Sequence, residues 1–240
     1  MGTPGTEPLP TDAAAGLIRA VESADSAVAL LGASAALARH LSSGAAPSPE
    51  AVLALVQVLG FNNPGAAVAA VDGLIACGEA AVEPLLANLD AHNYGARAWA
   101  VRALAGIGDV RGLELLEQAL SADIGPSVRR AAARGLGQLR CPALSAEERR
   151  PIRQRALTAL EAAGEDGEWV VRYAVVVGLE SLGLALAGEA GEDGPLPDGR
   201  ALLDRARRAL LLRSTAAELT PVVQLRAVRA LALLPDPAEP

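Results

Sequence analysis

A chain of 240 residues, 51% of them hydrophobic, has room for one or two globular domains. Its 28 acidic residues outnumber 21 basic ones, and the net charge of −7 leaves no broad basic footprint for a nucleic acid. Cys77 and Cys141 are far apart and form no CxxC pattern, and His40 and His92 have no partners at ligand spacing. Neither a disulfide framework nor a metal site is therefore expected.

The apolar content is mostly Ala, Leu and Val, with only five aromatic residues. Such small aliphatic residues suit close helix packing, and the natural reading is all-α. Every basic residue is arginine, which forms bidentate carboxylate pairs that lysine cannot copy; a GC-rich genome explains the same bias. Met1 is followed by no apolar run of the signal-peptide kind, and charges and glycines interrupt the Ala-rich stretches. A cytoplasmic protein with no membrane insertion is expected.

In chain order, residues 1–11 hold three prolines and no apolar period, and read as a disordered lead-in. Helices are expected near Ala13–Ser23 and Ser26–Leu41, with Pro49 in the first turn of the next. From there the chain repeats. A pattern of apolar or small residue, Arg, then small at +4 and Leu at +8 fits Ala96, Arg97, Ala100, Leu104. It fits again from Val128 and from Val171, and more weakly from Ala66 and Val223, where Ala67 and Gln224 replace the arginine. The starts are 30, 32, 43 and 52 residues apart, so the later repeats carry insertions, placed at Cys141–Glu148 and Gly188–Gly199.

A further helical pattern precedes each copy: Pro49–Leu59, Glu79–Leu89, Val110–Leu120, Ala146–Ala162 and Gly199–Leu212. Helix, turn, helix at this period describes a HEAT-like α-solenoid of about five to six helix pairs, one domain over residues 12–234. Residues 235–240 read as a disordered tail.

The outward positions of the second helices carry the chemistry. Position +2 holds Arg130 and Tyr173, and +6 holds Arg102, Arg134 and Arg229; Tyr94 and Trp169 lie two residues before their starts, with Trp99 on the flank of its helix. Stacked side by side, Tyr94, Trp99, Arg102, Arg130, Arg134, Trp169 and Tyr173 form one band. Aromatic faces and guanidinium groups suit a flat, conjugated, anionic ligand, and suit a protein partner equally well. Trp99 also reads as an inter-repeat packing residue, and Arg130 and Arg134 as a solvated face. Arg97, Arg129 and Arg172 recur at the edge of the buried stripe, where they read as a structural ladder pairing with acids of adjacent repeats. No nucleophile elbow, P-loop or dinucleotide fingerprint occurs, and both cysteines read as inert thiols.

Four phrases go further. Gly60–Leu74 (GFNNPGAAVAAVDGL), Asn93–Asp109, Pro126–Gly137 (PSVRRAAARGLG) and Glu168–Leu182 (EWVVRYAVVVGLESL) resemble the E/F-type phycobilin lyases of phycobilisome-containing organisms. The likeness is greatest to the F subunits that serve the phycocyanin α subunit, and it covers about residues 50–183. The resemblance implies a heterodimer with a homologous E-type subunit, an open-chain tetrapyrrole (phycocyanobilin) as substrate with no permanently bound cofactor, and thioether attachment to a phycobiliprotein cysteine. Under it, Arg102, Arg130 or Arg134 clamp the propionates, the four aromatic side chains hold the ring face, and Asp90 or Glu168 protonates near the pyrrole nitrogens. A related lyase that also isomerises its bilin carries a His-Cys pair where this chain reads Asp90-Ala-His-Asn-Tyr-Gly95, so attachment without isomerisation is expected. A phycoerythrin-directed lyase and a non-enzymatic HEAT scaffold for phycobiliproteins stay open; a HEAT-like DNA glycosylase is disfavoured by the charge.

Overall fold

The computed structural model describes residues 10–89, 93–192 and 197–235. Among them are twelve α-helices and no strand: α1 Pro10–Glu22, α2 Ala27–Ser42, α3 Pro49–Val58, α4 Pro64–Cys77, α5 Val82–Ala87, α6 Tyr94–Ile107, α7 Leu113–Ala122, α8 Pro126–Gly137, α9 Ala146–Ala162, α10 Trp169–Glu192, α11 Pro197–Arg213 and α12 Pro221–Leu233. They follow one another as the helix pairs that the repeat predicts. Of the segments expected to be disordered, 1–11 and 235–240, residues 1–9 and 236–240 lie outside the described residues, as does Asp90. The expected lead-in does not extend to residue 11, because α1 begins at Pro10.

Local chemistry explains where the helices begin. Ser26 and Ser48 each accept the backbone N–H three residues on, at 3.2 Å, and the Oδ1 atoms of Asn63 and Asn93 do the same at 3.1 and 3.0 Å. Ser145 and Glu148 form a reciprocal capping box ahead of α9. Pro49, Pro64, Pro126 and Pro221 sit in first turns, where a missing N–H costs nothing. Two expected helices are shorter than their apolar pattern: Glu79–Leu89 and Val110–Leu120 each open with a 3₁₀ turn. The insertion expected at Gly188–Gly199 is also smaller, since α10 continues to Glu192. Arg153 of α9 donates to the Glu189 carboxylate at 2.7 Å, which ties that last stretch of helix down.

The helices group into two compact units that divide between Ala103 and Leu104, inside α6. In the first unit α4 packs against α2 and α3, and α1 against α2 and α3. In the second, α8 packs on α7, α9 and α10, and α10 continues the core to α11 and α12. Leu37, Leu55, Leu74 and Leu85 are fully buried in the first unit; Leu104, Ile107, Leu116, Leu136, Leu157, Leu160, Leu179 and Leu182 are fully buried in the second. Two stretches, Pro64–Ala87 and Trp169–Glu189, have mean hydropathies of 1.5 and 1.7, yet about half of each window is buried against other helices of the fold. The first is also broken at Gly78, whose φ of 58° ends α4.

Position +7 holds a small residue in every repeat, and where it is glycine (Gly73, Gly135, Gly178) it lets second helices touch. A Cβ on Gly73 of α4 would stand 3.1 Å from the Ala38 Cα of α2 and 2.7 Å from Leu55 Cδ1. On Gly178 of α10 it would stand 2.4 Å from the Ala133 carbonyl oxygen of α8. Backbone cannot give way as a side chain can. Gly178→Ala should therefore lower stability by about 1–3 kcal/mol, whereas Gly188→Ala, with nothing within 4 Å, should be neutral or stabilise by about 0.5 kcal/mol. Thermal unfolding of the two variants side by side checks this.

Candidate functional site

The arginines divide by what they touch. Arg129 of α8 donates through Nε and Nη2 to the Asp166 carboxylate, at 2.7 and 3.1 Å, and through Nη1 to the Asp123 carbonyl at 2.8 Å. Arg172 of α10 repeats the arrangement one repeat later. It donates to both Glu218 oxygens at 2.8 Å and to the Asp166 carbonyl at 2.8 Å. Each acid lies five residues before a repeat start and also accepts the backbone N–H two residues on: Asp123 from Gly125, Asp166 from Glu168, Glu218 from Thr220. Asp166 and Glu218 thus each close their own turn and receive the guanidinium of the preceding repeat. Position +1 of the last repeat is Gln224, whose side-chain amide donates to the Glu218 carbonyl.

These rungs are partly to wholly buried. The Glu218 side chain is 1% exposed, and the Arg172 hydrogen bond holds its pKa below the usual carboxylate value against the opposing effect of burial. For Asp166 burial acts upward most strongly, but the Arg129 hydrogen bond, the Glu168 N–H and nearby guanidinium charge together bring it down. Arg97 holds the same register position on α6. The acids of the rungs escape a search for ligand motifs, although an acid five residues before three of the five repeat starts is visible in the sequence.

In the first unit, Tyr94, Trp99 and Arg102 share α6. The Arg102 guanidinium lies 4.6 Å from the centroid of the Trp99 ring, a cation–π contact that fixes both side chains. Tyr94 is 45% exposed. Trp99 also lines a cleft of about 270 Å³ with Phe61, Asn62, Asn63, Asn93 and Gly95. Asn63 and Asn93 cap α4 and α6 with their oxygens, and their amide nitrogens bridge to the Ala27 and Gly60 carbonyls at 2.8 and 3.3 Å. Phe61 and Asn62 were not among the expected site residues; Asn-Asn-Pro before a helix signals a cap and gives no hint of a cleft.

In the second unit, Arg130 and Arg134 are exposed, one turn apart on one face of α8, and neither has a hydrogen bond or ion pair among the described residues. Trp169, 47% exposed, opens α10, and half-buried Tyr173 follows one turn on. Tyr173 lies beside Arg226, which is itself bound to both Glu180 oxygens at 2.5 and 2.7 Å. Glu168 is exposed in the turn before α10. The seven expected ligand residues therefore fall into two sets, three in the first unit and four in the second. Asp90, the other expected acid, lies outside the described residues.

Both thiols are poor nucleophiles. Burial pushes the Cys77 thiol up to about 11, and burial raises Cys141 above its ordinary value as well. No group of three or more metal-ligating side chains occurs among the described residues.

Residues 82–180 match the HEAT repeats family. The chain is 57% identical over 166 residues to the phycocyanin alpha phycocyanobilin lyase CpcF of Synechocystis sp. PCC 6803, covering 69% of this chain and 75% of that protein. It is 52% identical over 167 residues to a phycobilisome maturation protein of Synechococcus elongatus, covering 69% of this chain and 78% of that one. A chain of the solved complex of CpcE and CpcF of phycocyanin lyase from Nostoc sp. PCC7120 superimposes with a TM-score of 0.63 at 37% identity, covering 76% of this chain and 99% of that chain.

Two outcomes follow from the geometry. Arg172→Ala leaves the buried Glu218 carboxylate with the Thr220 N–H and the Arg213 guanidinium at 3.9 Å, and should cost about 3 kcal/mol in chemical denaturation. A carboxylate with a depressed folded pKa stabilises above its unfolded pKa, and that stabilisation disappears as pH falls through the folded value. The wild-type melting temperature should thus decline as pH drops below about 4, and Arg172→Met should show a shallower decline. In alkylation at pH 8, neither cysteine of the folded chain should react at the rate of a free thiol, and both should do so after denaturation.

Proposed function

This chain belongs to the phycocyanobilin lyase F-subunit family, and from that premise we propose that it is one subunit of a heterodimeric lyase acting with a homologous E-type subunit. Its substrates are phycocyanobilin and the phycocyanin α subunit, and its product is a thioether between the bilin and a cysteine of that subunit. The observation that carries this reading is the 57% identity with a phycocyanin alpha phycocyanobilin lyase over three-quarters of that protein's length.

The reaction is an addition with no leaving group. Protonation of the tetrapyrrole polarises its ethylidene group, the acceptor thiolate adds to the ethylidene carbon, and the thiol proton is retained in the product. The acceptor sulfur belongs to the phycobiliprotein, which agrees with the buried, high-pKa thiols of this chain. What this chain supplies is binding and orientation. Arg130 and Arg134, exposed and uncommitted on α8, pair with propionate carboxylates, as does Arg102 beside Trp99. Tyr94, Trp99, Trp169 and Tyr173 offer flat apolar faces to the conjugated rings. Glu168, exposed ahead of α10, or Asp90 protonates near the pyrrole nitrogens. The ladder of Arg97, Arg129 and Arg172 keeps the helices in register and stays out of the chemistry. The protein works in the cytoplasm with no resident cofactor, and the Asp90–Gly95 segment, lacking a cysteine, attaches the bilin without isomerising it.

Co-expression with a tagged phycocyanin α subunit in a phycocyanobilin-producing host, with and without an E-type partner, tests the proposal. Zinc-enhanced fluorescence on a denaturing gel should reveal a bilin-bearing α subunit only when both lyase chains are present, with the absorption of an unisomerised chromophore. Replacing Arg130 and Arg134 together by alanine should lower the transfer rate at least tenfold, through lost charge-assisted hydrogen bonds, and leave helicity unchanged. A soluble pair that leaves the α subunit dark would point to another acceptor or to a scaffold without transfer chemistry.

A further inference from the structure

The cleft between the Gly60–Pro64 turn and α6 is lined by Asn62, Asn63, Asn93, Phe61 and Trp99. Its volume of about 270 Å³ falls below the range typical of pockets that enclose a whole small molecule, so it suits one ring of a larger ligand. The Trp99 indole supplies an apolar wall, held by Arg102 at 4.6 Å. Asn63 and Asn93 are committed at both ends of their amides, which fixes the rim. Asn62 is different. It lines the cleft, is exposed, and its side chain has no hydrogen-bond partner among the described residues. It therefore offers one acceptor and two donors to whatever enters.

No ionisable side chain lines this cleft. The neighbouring cleft of about 440 Å³, which shares Phe61, Asn62 and Asn63, is lined by Glu22 and Asp25. Carboxylates there would repel a propionate, so the turn is not a place for the charged side chains of a tetrapyrrole. The terminal rings of an open-chain tetrapyrrole are lactams: neutral, planar, and carrying an N–H beside a C=O. A primary carboxamide pairs with that edge at two points, Oδ1 accepting from the lactam N–H and Nδ2 donating to the lactam oxygen. We infer that this cleft is a subsite for a terminal lactam ring, with Asn62 as its specificity residue and Trp99 as its stacking wall. The inference rests on the proposed bilin-lyase function and adds where one end of the substrate sits.

Purified heterodimer is titrated with phycocyanobilin and, separately, with its dimethyl ester, in which the propionates carry no charge; visible absorption reports binding. Asn62→Leu removes both hydrogen bonds and should raise Kd about tenfold for the free acid and the ester alike. Asn62→Ser, a milder truncation, should show a loss of the same order, with unchanged circular dichroism and gel-filtration volume for both variants. Arg134→Ala should weaken the free acid and leave the ester unaffected, which separates the lactam contact from propionate pairing. If the wild-type pair binds both forms and Asn62→Leu binds each within twofold of it, the subsite is wrong and the lyase function stands. If the wild-type pair binds neither form, the function and the subsite fall together.

Discussion

The fold depends on how closely the second helices of successive repeats approach. In the first unit that approach is set by Gly73 of α4 against Ala38 of α2, and in the second by Gly135 of α8 against Ala105 and by Gly178 of α10 against the Ala133 carbonyl. A missing Cβ at one register position brings helix backbones into contact. The leucines at +8 then close over that contact: Leu74, Leu136 and Leu179 are at most 1% exposed. With so few aromatic side chains available to fill space, near backbone contact between helices is how this Ala-rich sequence reaches the packing density of a protein interior.

Close approach places helix termini and turns side by side, and their polar groups must then be satisfied. The two units solve this differently. Seventeen of the 21 arginines follow Ala103, and there the turns are tied by Arg129–Asp166 and Arg172–Glu218, reinforced by Arg153–Glu189, Arg205–Glu161 and Arg226–Glu180. In the first unit, Asn63 and Asn93 do the equivalent work with a cap on one side of the amide and a bridge on the other. Arginine suits the buried rungs because one planar fork meets a carboxylate and a carbonyl together. The acids are in turn fixed by N–H groups of their own turns, so each rung is held on both sides.

This division of labour leaves the chemistry to the residues that the rungs do not consume. Arg130 follows Arg129 directly, yet one is exposed and uncommitted while the other is bound to a carboxylate and two carbonyls. One step along a helix turns a side chain by about 100°, and that rotation separates an arginine held in a rung from one that faces outward. Tyr173 lies between the two cases, half-buried and beside Arg226. The two thiols are buried, in keeping with a protein that orients a reaction whose nucleophile comes from its partner.

Much of this was legible in the sequence because it is local or periodic. The all-α class, the helix pairs, the capping residues and the repeat register follow from apolar spacing and from Ser, Asn and Pro at helix starts, and membership of the lyase family follows from long ordered phrases. What escaped was non-local. The small residue at +7 has no periodic signal of its own in an Ala-rich chain, and only a neighbouring backbone makes it necessary. Glu189 reads as part of a charged insertion until Arg153 reaches it from α9 and extends α10. Phe61 and Asn62 read as a helix approach until the fold sets them across from Trp99, 38 and 37 residues further on. The sequence alone determined which helices form and which family they serve; tertiary structure decided which arginines are bound and which turn becomes a cleft, because both depend on contacts between residues more than thirty positions apart.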